Sequence, residues 1–224
     1  MFGNIALDRA KIVREDIRVS GVEPFDWKRP FDLIVATLLL IVLSPLLLLV
    51  SALIYLDSPG PILFRQDRFT VGRRVFKVYK FRTMRCAEPA QAPGQLCQTL
   101  PDDPRTTRVG RFLRRTSIDE LPQLFNVIAG DMSVVGPRAH ATNMSVEGVA
   151  FHDLFPLYHD RHVVRPGITG WAQVNSNRGI VETIEKARDR LHKDLYYVDH
   201  ASTLLDLKIL ALTAWRVPFD RNAF

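Results

Sequence analysis

Two adjacent carboxylates, Asp119 and Glu120, stand at the end of the most strongly charged stretch of this sequence. Ser117 lies three residues before Glu120, which is the spacing of a capping box, so we expect a new helix to begin here. Backbone N–H groups and the helix dipole favour anions at such an end. The pair is therefore a candidate for phosphate chemistry, and the alternative for each residue alone is a structural role at the helix terminus.

Arginines precede this pair at every third position, and the four are Arg105, Arg108, Arg111 and Arg114. The apolar residues between them predict an amphipathic helix, whose basic side is either a ligand surface or a solvated or lipid-facing stripe.

The overall charge also fits a phosphate-bearing partner. The chain has 224 residues and a net charge of +6, which suits one catalytic unit that binds a nucleotide, an anionic lipid or a nucleic acid. Its cysteines, Cys86 and Cys97, have no Cys or His neighbours at metal-ligand spacing, so we interpret them as free thiols in a reducing cytosol rather than as a disulfide.

An apolar run from Leu33 to Leu56 is the most clearly marked structural element of the sequence. It has 24 residues and no charge. A straight helix of this length reaches about 36 Å, enough to span a hydrocarbon core of about 30 Å. Pro45 argues against a simple span, because it removes a backbone hydrogen bond and clashes with the carbonyl of Ile41. Basic residues flank the run on both sides and favour the cytoplasm. We therefore predict a re-entrant helix that bends at Ser44-Pro45, where Ser44 satisfies the freed carbonyl, with a single span as the alternative.

The remaining patterns predict a mainly helical α/β fold with a small β-hairpin. Residues 1–27 form a lead-in whose helical part is either membrane-bound or solvated, 28–58 form the membrane segment, and 59–224 form a cytosolic or interfacial catalytic domain. The predicted elements are a hairpin of Ile62–Phe64 and Val75–Phe81, a loop over 86–104, and helices over 108–127, 148–155, 181–197 and 204–217. The last helix is amphipathic and is either interfacial or an ordinary packed helix.

Seven motifs in consistent order, over about residues 28 to 217, resemble the monotopic phosphoglycosyl transferases of bacteria. They are KRPFD (Lys28–Asp32), Ser44-Pro45, KFRTM (Lys80–Met84), SIDELPQLFNV (Ser117–Val127), GDMSVVGPR (Gly130–Arg138), RPGITGWAQV (Arg165–Val174) and DLKI (Asp206–Ile209). The chain departs from the family pattern at Ala139, where a second proline is usual.

The resemblance implies a re-entrant membrane helix, Mg²⁺, and a covalent phosphosugar intermediate on the first residue of the catalytic pair Asp119-Glu120. Both carboxylates are then candidate metal ligands, and Glu120 either binds metal or moves protons. The candidate substrate-binding residues are Lys80, Arg82, Arg111, Arg114, Pro137, Arg138, Arg165, Arg178 and Asp206. For Asp206, a charge inside an apolar stretch, a structural salt bridge is the alternative.

The expected reaction moves a hexose 1-phosphate from a UDP-sugar to undecaprenyl phosphate at the cytoplasmic face of the inner membrane, with release of UMP. The segment around Arg178-Gly179 resembles the branch that uses simple hexoses, so UDP-glucose or UDP-galactose is the expected donor. Membrane lipid is an expected partner, nucleic acid is not, and a homo-oligomer is left open. The alternative from another class is a non-enzymatic membrane adaptor that binds anionic lipid or nucleic acid through its basic surface.

Overall fold

The chain has the predicted mainly helical α/β fold, and in the computed structural model the described residues are 27–85, 103–175, 179 and 181–216. The helices are α1 (Lys28–Asp57), α2 (Arg108–Thr116), α3 (Gln123–Ala129), α4 (Phe151–Leu154), α5 (Trp171–Val174), α6 (Ile184–His200) and α7 (Thr203–Arg216). The strands are β1 (Leu63–Phe69), β2 (Val75–Phe81), β3 (Ser133–Val135), β4 (Ser145–Val146), β5 (Val149–Ala150) and β6 (Gly167–Thr169). The lead-in helix, Cys86, Cys97 and Arg178 lie outside the described residues.

Helix α1 runs through Pro45, the position of the predicted bend, as one continuous element. Pro45 has no N–H group to donate to the carbonyl of Ile41, and the Ser44 hydroxyl donates to that oxygen instead, at 2.8 Å. The predicted role of Ser44 is thus confirmed. The predicted re-entrant bend at Ser44-Pro45 stays a prediction, because a continuous helix can bend at a proline. The helix continues because the acceptor freed by proline has found a donor.

Both halves of α1 pack against the rest of the chain. Ala36 is fully buried in a core cluster with Val78 and Val127, and Val50 and Ile54 are buried in a second cluster beside β2 and α2. The helix is long and apolar enough to cross a membrane by length and composition. Its other side carries exposed apolar residues along the whole length, which are Ile34, Leu38, Ile41, Val42, Leu48, Leu49, Leu53 and Leu56.

The predicted hairpin is confirmed and is longer than predicted. Strands β1 and β2 pair antiparallel from Leu63 opposite Phe81 to Phe69 opposite Val75, and a 3₁₀ turn with Gly72 at φ 66° joins them. Asn126 in α3 completes the outer edge of β2: its amide donates to the Lys77 carbonyl and its oxygen accepts from the Tyr79 N–H, both at 2.9 Å. This contact holds α3, and the carboxylates just before it, against the hairpin.

A parallel pair, β3 with β6, is absent from the sequence-based prediction. Its register places Ser133 opposite Gly167 and Val135 opposite Thr169. A Cβ atom at Gly167 would lie 2.1 Å from the backbone nitrogen of Gly136, so only glycine permits this approach. Backbone packing therefore brings together the motifs GDMSVVGPR and RPGITGWAQV.

The helices after the hairpin agree in part with the prediction. Helices α6 and α7 are confirmed, whereas the helix predicted over 148–155 is wrong, because only α4 at its end is helical. Glu147 and Gly148 both have positive φ, 51° and 78°, and form the tight turn that pairs β4 with β5. The helical stretch predicted over 108–127, with a new helix expected near Ser117, consists of α2, a 3₁₀ turn at Ile118–Glu120, and α3.

Candidate active site

The predicted catalytic pair, Asp119 and Glu120, lies in the 3₁₀ turn between α2 and α3 rather than at the start of an α-helix. Ser117 ends α2 in the left-handed conformation, with φ 56° and ψ 16°, and its side chain makes no capping hydrogen bond. The predicted capping box is therefore wrong. The capping box does not form because Ser117 is the carboxyl-terminal cap of α2 and the Glu120 side chain is bound by Lys80 and Arg138 instead.

Two cations hold the Glu120 carboxylate. Oε1 accepts hydrogen bonds from Lys80 Nζ at 2.7 Å and Arg138 Nη2 at 2.6 Å, and Oε2 accepts from Arg138 Nη1 at 3.1 Å. Burial alone would raise the pKa of Glu120, but the charges and hydrogen bonds of Arg138 and Lys80 hold it well below its usual range. Glu120 is therefore ionised at neutral pH and a poor proton donor.

Asp119 is buried, whereas Glu120 is partly exposed, and Asp119 is not held by ion pairs in the same way. Its residue is 9% exposed, and within the described part of the chain no side chain or backbone group donates a hydrogen bond to its carboxylate. Burial raises the pKa of Asp119 to about 6, the charge of Lys80 lowers it, and the charge of Glu120 raises it. The two neighbouring carboxylates thus differ: Glu120 is fixed by ion pairs, and Asp119 accepts no hydrogen bond from the described residues.

A small cleft, partly open to solvent, lies beside the two cations that bind Glu120. Its lining residues come from β1, β2, α3, the segment after β3 and the start of β6. They are Arg68, Val78, Lys80, Gln123, Arg138, Ala139 and Gly167. Three of them are cationic, so the cleft suits an anionic ligand. Arg161 donates to the Arg138 carbonyl at 2.6 Å and to the Asp194 carboxylate at 2.7 Å, and this buried ion pair fixes the backbone of Arg138.

The sequence-predicted residues fall into two groups, and the first lies around the pair. Lys80 and Arg138 line the cleft. Arg114 donates to the Thr83 hydroxyl at 2.8 Å, and its charge lowers the pKa of Asp119. Arg111 is exposed on α2 and does not line the cleft, so its predicted role in substrate binding stays a prediction. Pro137 is buried next to Arg138, and its carbonyl accepts from the Gly167 N–H at 2.9 Å.

The second group makes structural contacts elsewhere. Arg82 donates to the carbonyls of Ser58 and Pro59 at 2.6 and 2.7 Å, after the end of α1. Arg165 donates to the Gly130 carbonyl at 3.0 Å. A substrate-binding role for these two arginines stays a prediction.

Asp206 is fully buried at the opposite end of α1. It accepts from Lys28 at 2.6 Å and from the Tyr197 hydroxyl at 2.7 Å. The alternative of a structural salt bridge is thus confirmed for Asp206, and its role in substrate binding also stays a prediction.

Four functional candidates were missed by reading the sequence. Gln123 lies inside the SIDELPQLFNV motif and Arg68 in β1, so motif membership and a charge in a strand were the available signals. Arg161 and Asp194 are 33 residues apart, and no local pattern links them.

The donor set is compatible with Mg²⁺. Within the described residues no group of three His, Cys, Asp or Glu side chains is arranged as a metal site. Mg²⁺ in phosphoryl-transfer enzymes is commonly bound through one or two protein carboxylates plus substrate phosphates. Asp119 and Glu120 offer such a partial site, which a diphosphate would complete.

A buried carboxylate beside a cationic cleft, on a domain that carries a long exposed apolar helix, suits phosphoryl transfer at a membrane. Residues 24–220 match the family described as bacterial sugar transferase. The chain belongs to the bacterial sugar transferase family, and the family predicted from its motifs is confirmed.

Similar proteins support this assignment. The chain is 50% identical over 183 residues to the exopolysaccharide production protein PSS of Rhizobium leguminosarum bv. phaseoli, covering 82% of this chain and 90% of the relative. It is 50% identical over 197 residues to the undecaprenyl-phosphate glucose phosphotransferase of Komagataeibacter xylinus, covering 88% of this chain and 37% of the relative. It is 44% identical over 209 residues to the UDP-glucose:undecaprenyl-phosphate glucose-1-phosphate transferase of Escherichia coli K12, covering 93% and 44%. The chain therefore spans less than half the length of the last two.

Proposed function

We propose that this protein transfers a hexose 1-phosphate from a UDP-sugar to undecaprenyl phosphate and releases UMP, with Asp119 as the covalent nucleophile. UDP-glucose or UDP-galactose is the proposed donor, in line with relatives named for glucose 1-phosphate transfer. The main support for this proposal is the difference between two adjacent carboxylates. Glu120 is bound by Lys80 and Arg138, whereas the buried Asp119 carboxylate is free of hydrogen bonds among the described residues.

The reaction divides into two exchanges at one phosphorus atom. An Asp119 carboxylate oxygen attacks the phosphorus that bears the hexose, a bond forms between them, and the bond from this phosphorus to the UMP oxygen breaks. An oxygen of the lipid phosphate then attacks the same phosphorus, and the Asp119 carboxylate leaves. The attacking oxygens of both steps are already ionised near neutral pH, so neither step requires a general base.

The cations beside Asp119 lower the electrostatic cost of the attack. One pair of like charges at about 4 Å repels by about 4 kcal/mol at a dielectric of about 20, and a diphosphate presents several. Lys80 and Arg138 line the cleft and keep a fixed position through Glu120, so they are pre-oriented to bind the phosphates. When bound by the two carboxylates and the diphosphate, Mg²⁺ would supply further charge neutralisation.

We further propose that α1 is re-entrant and that the active site faces the cytoplasm at the inner membrane. Both halves of α1 pack on one domain while its other side exposes apolar residues. A helix that crossed the bilayer would carry one of these halves away from the domain. Trp215, Leu204 and Leu207 on α7 are also exposed and suit a membrane interface.

The nucleophile is tested with purified protein, Mg²⁺ and a UDP-hexose in the absence of lipid acceptor. We expect release of UMP up to one equivalent and a mass increase of one hexose phosphate on a peptide that contains Asp119. The variant Asp119→Asn should show neither. The matched control Asp67→Asn removes an exposed carboxylate that pairs with Lys77 and should react normally. Turnover by Asp119→Asn, or a modified peptide elsewhere, would refute the assignment.

The topology is tested by single cysteines placed on both flanks of α1 and labelled from outside the cell with a membrane-impermeant maleimide. Re-entry predicts protection of both flanks in intact cells and labelling of both after lysis. Labelling of either flank in intact cells would establish a single span. The adaptor alternative predicts salt-sensitive binding to anionic lipid without UMP release, and membership of a transferase family favours the enzyme.

A further inference from the structure

One polar side chain in the cleft has no assigned partner. Gln123 is 4% exposed and lines the cleft. No group in the described part of the chain forms a hydrogen bond with its amide. The amide oxygen and nitrogen both keep some solvent-exposed surface. The side chain is therefore packed in place while its amide is open to the cleft.

The position of Gln123 brings it close to the reacting group. It follows Asp119 by four residues, and the intervening Leu121 and Pro122 have helical backbone angles, so the two residues lie one helical turn apart. Lys80 and Arg138, which bind the neighbouring Glu120, line the same cleft. A ligand whose phosphorus faces Asp119 would therefore place the group next to that phosphorus near Gln123.

The other polar lining side chains are all cations. Lys80 and Arg138 are paired with Glu120, while Arg68 donates to the neutral oxygens of Ala139 and Gln66 and makes no ion pair with a carboxylate among the described residues. These three groups serve the anionic part of a ligand. Gln123 is the one neutral polar side chain in this described lining, and an amide that both donates and accepts matches a hydroxyl group.

We propose that Gln123 is a specificity-determining residue that hydrogen-bonds a hydroxyl of the donor hexose, beside a diphosphate bound by Arg68, Lys80 and Arg138. This inference rests on the proposed function. The two proposed substrates differ in the relevant chemistry, because the polyprenyl acceptor offers a phosphate and hydrocarbon but no hydroxyl. Gln123 therefore acts in the donor half of the reaction.

The test compares wild type with Gln123→Met, which keeps the side-chain length and removes the amide. The donors are the better of UDP-glucose and UDP-galactose and the analogues of it that each lack one hydroxyl. We expect wild type to lose about tenfold in kcat/KM with one of these analogues, the value of one ordinary hydrogen bond. The variant should lose about tenfold with the parent donor and nothing further with that analogue.

The ratios between donors are measured within one preparation, so they do not depend on the fraction of folded variant. Gln173→Met is the matched control: Gln173 is also a buried glutamine, and it donates to the Ile168 carbonyl at 3.0 Å instead of lining the cleft. It should keep the wild-type pattern of ratios. If Gln123→Met also keeps that pattern, the inference is overturned, whereas absence of UMP release by wild type would overturn the proposed function itself.

Discussion

Replacing the proposed nucleophile should make the protein more stable while it abolishes activity. Asp119 is buried, and within the described residues its carboxylate accepts no hydrogen bond. Folding at neutral pH therefore places a charge where solvation is poor and the charge of Glu120 is near. The variant Asp119→Asn keeps the shape of the side chain and removes this cost. Such a trade between stability and activity is common at catalytic positions.

The size of the effect follows from the pKa shift. Burial raises the pKa of Asp119 from its ordinary value of 3.8 to about 6, with Lys80 opposing the shift and Glu120 adding to it. A difference of about 2 pKa units corresponds to about 3 kcal/mol at about 1.36 kcal/mol per unit. Because the pKa of the folded state is the higher one, the penalty is absent below about pH 4 and complete above about pH 6.

The assay is thermal unfolding of wild type and Asp119→Asn in detergent over that pH range. A chain of this size gains about 2–4 °C in Tm per kcal/mol, so we expect the variant to melt about 6–12 °C higher at neutral pH and at the same temperature near pH 4. Asp67→Asn should show little difference at any pH, because Asp67 and its partner Lys77 are exposed. A variant that melts at or below the wild-type temperature at every pH would refute the reasoning.

Three further results are expected. Glu120→Gln removes the like charge that raises the pKa of Asp119, so the pH midpoint of single-turnover UMP release should lie lower in the variant than in wild type; an unmoved midpoint would contradict this electrostatic coupling. Ser44→Ala leaves the Ile41 carbonyl without its hydroxyl donor and should cost about 1 kcal/mol in unfolding measurements. Ser51→Ala is its control and should be nearly neutral, since the carbonyl bound by that hydroxyl also has a helical partner. Chelation of Mg²⁺ should abolish UMP release without changing the Tm difference between wild type and Asp119→Asn, and chelator-resistant turnover would remove the metal from the mechanism.

The local elements were largely predictable because their patterns are local. The hairpin follows from β-branched and aromatic residues around Gly72, and helices α6 and α7 follow from apolar periodicity. The incorrect predictions of secondary structure occur where the backbone conformation of one residue determines whether a helix forms. Ser117 in the left-handed conformation ends a helix that periodicity alone would continue. Glu147, with Gly148, forms a hairpin turn where periodicity predicted the start of a helix. Neither serine nor glutamate signals such a conformation in a sequence.

The active site was predicted as a set of candidates but not as an arrangement. Motif resemblance pointed to Asp119, Glu120, Lys80 and Arg138, and these do lie together around the cleft. It did not separate them from Arg82, whose contacts lie after the end of α1. A basic residue in a motif has the same appearance in the sequence whether it binds a ligand or caps a helix.

The sequence by itself determined the chemical inventory of this protein: a 24-residue apolar run, an excess of basic charge, and adjacent carboxylates within recognisable motifs. These properties depend only on which residues occur and in what order, so they can be derived without coordinates. Only the tertiary structure decided that Glu120 is paired and Asp119 is not, because Lys80 and Arg138 reach Glu120 from positions 40 and 18 residues away. Electrostatic energies depend on distance and burial in space, and those are set by packing.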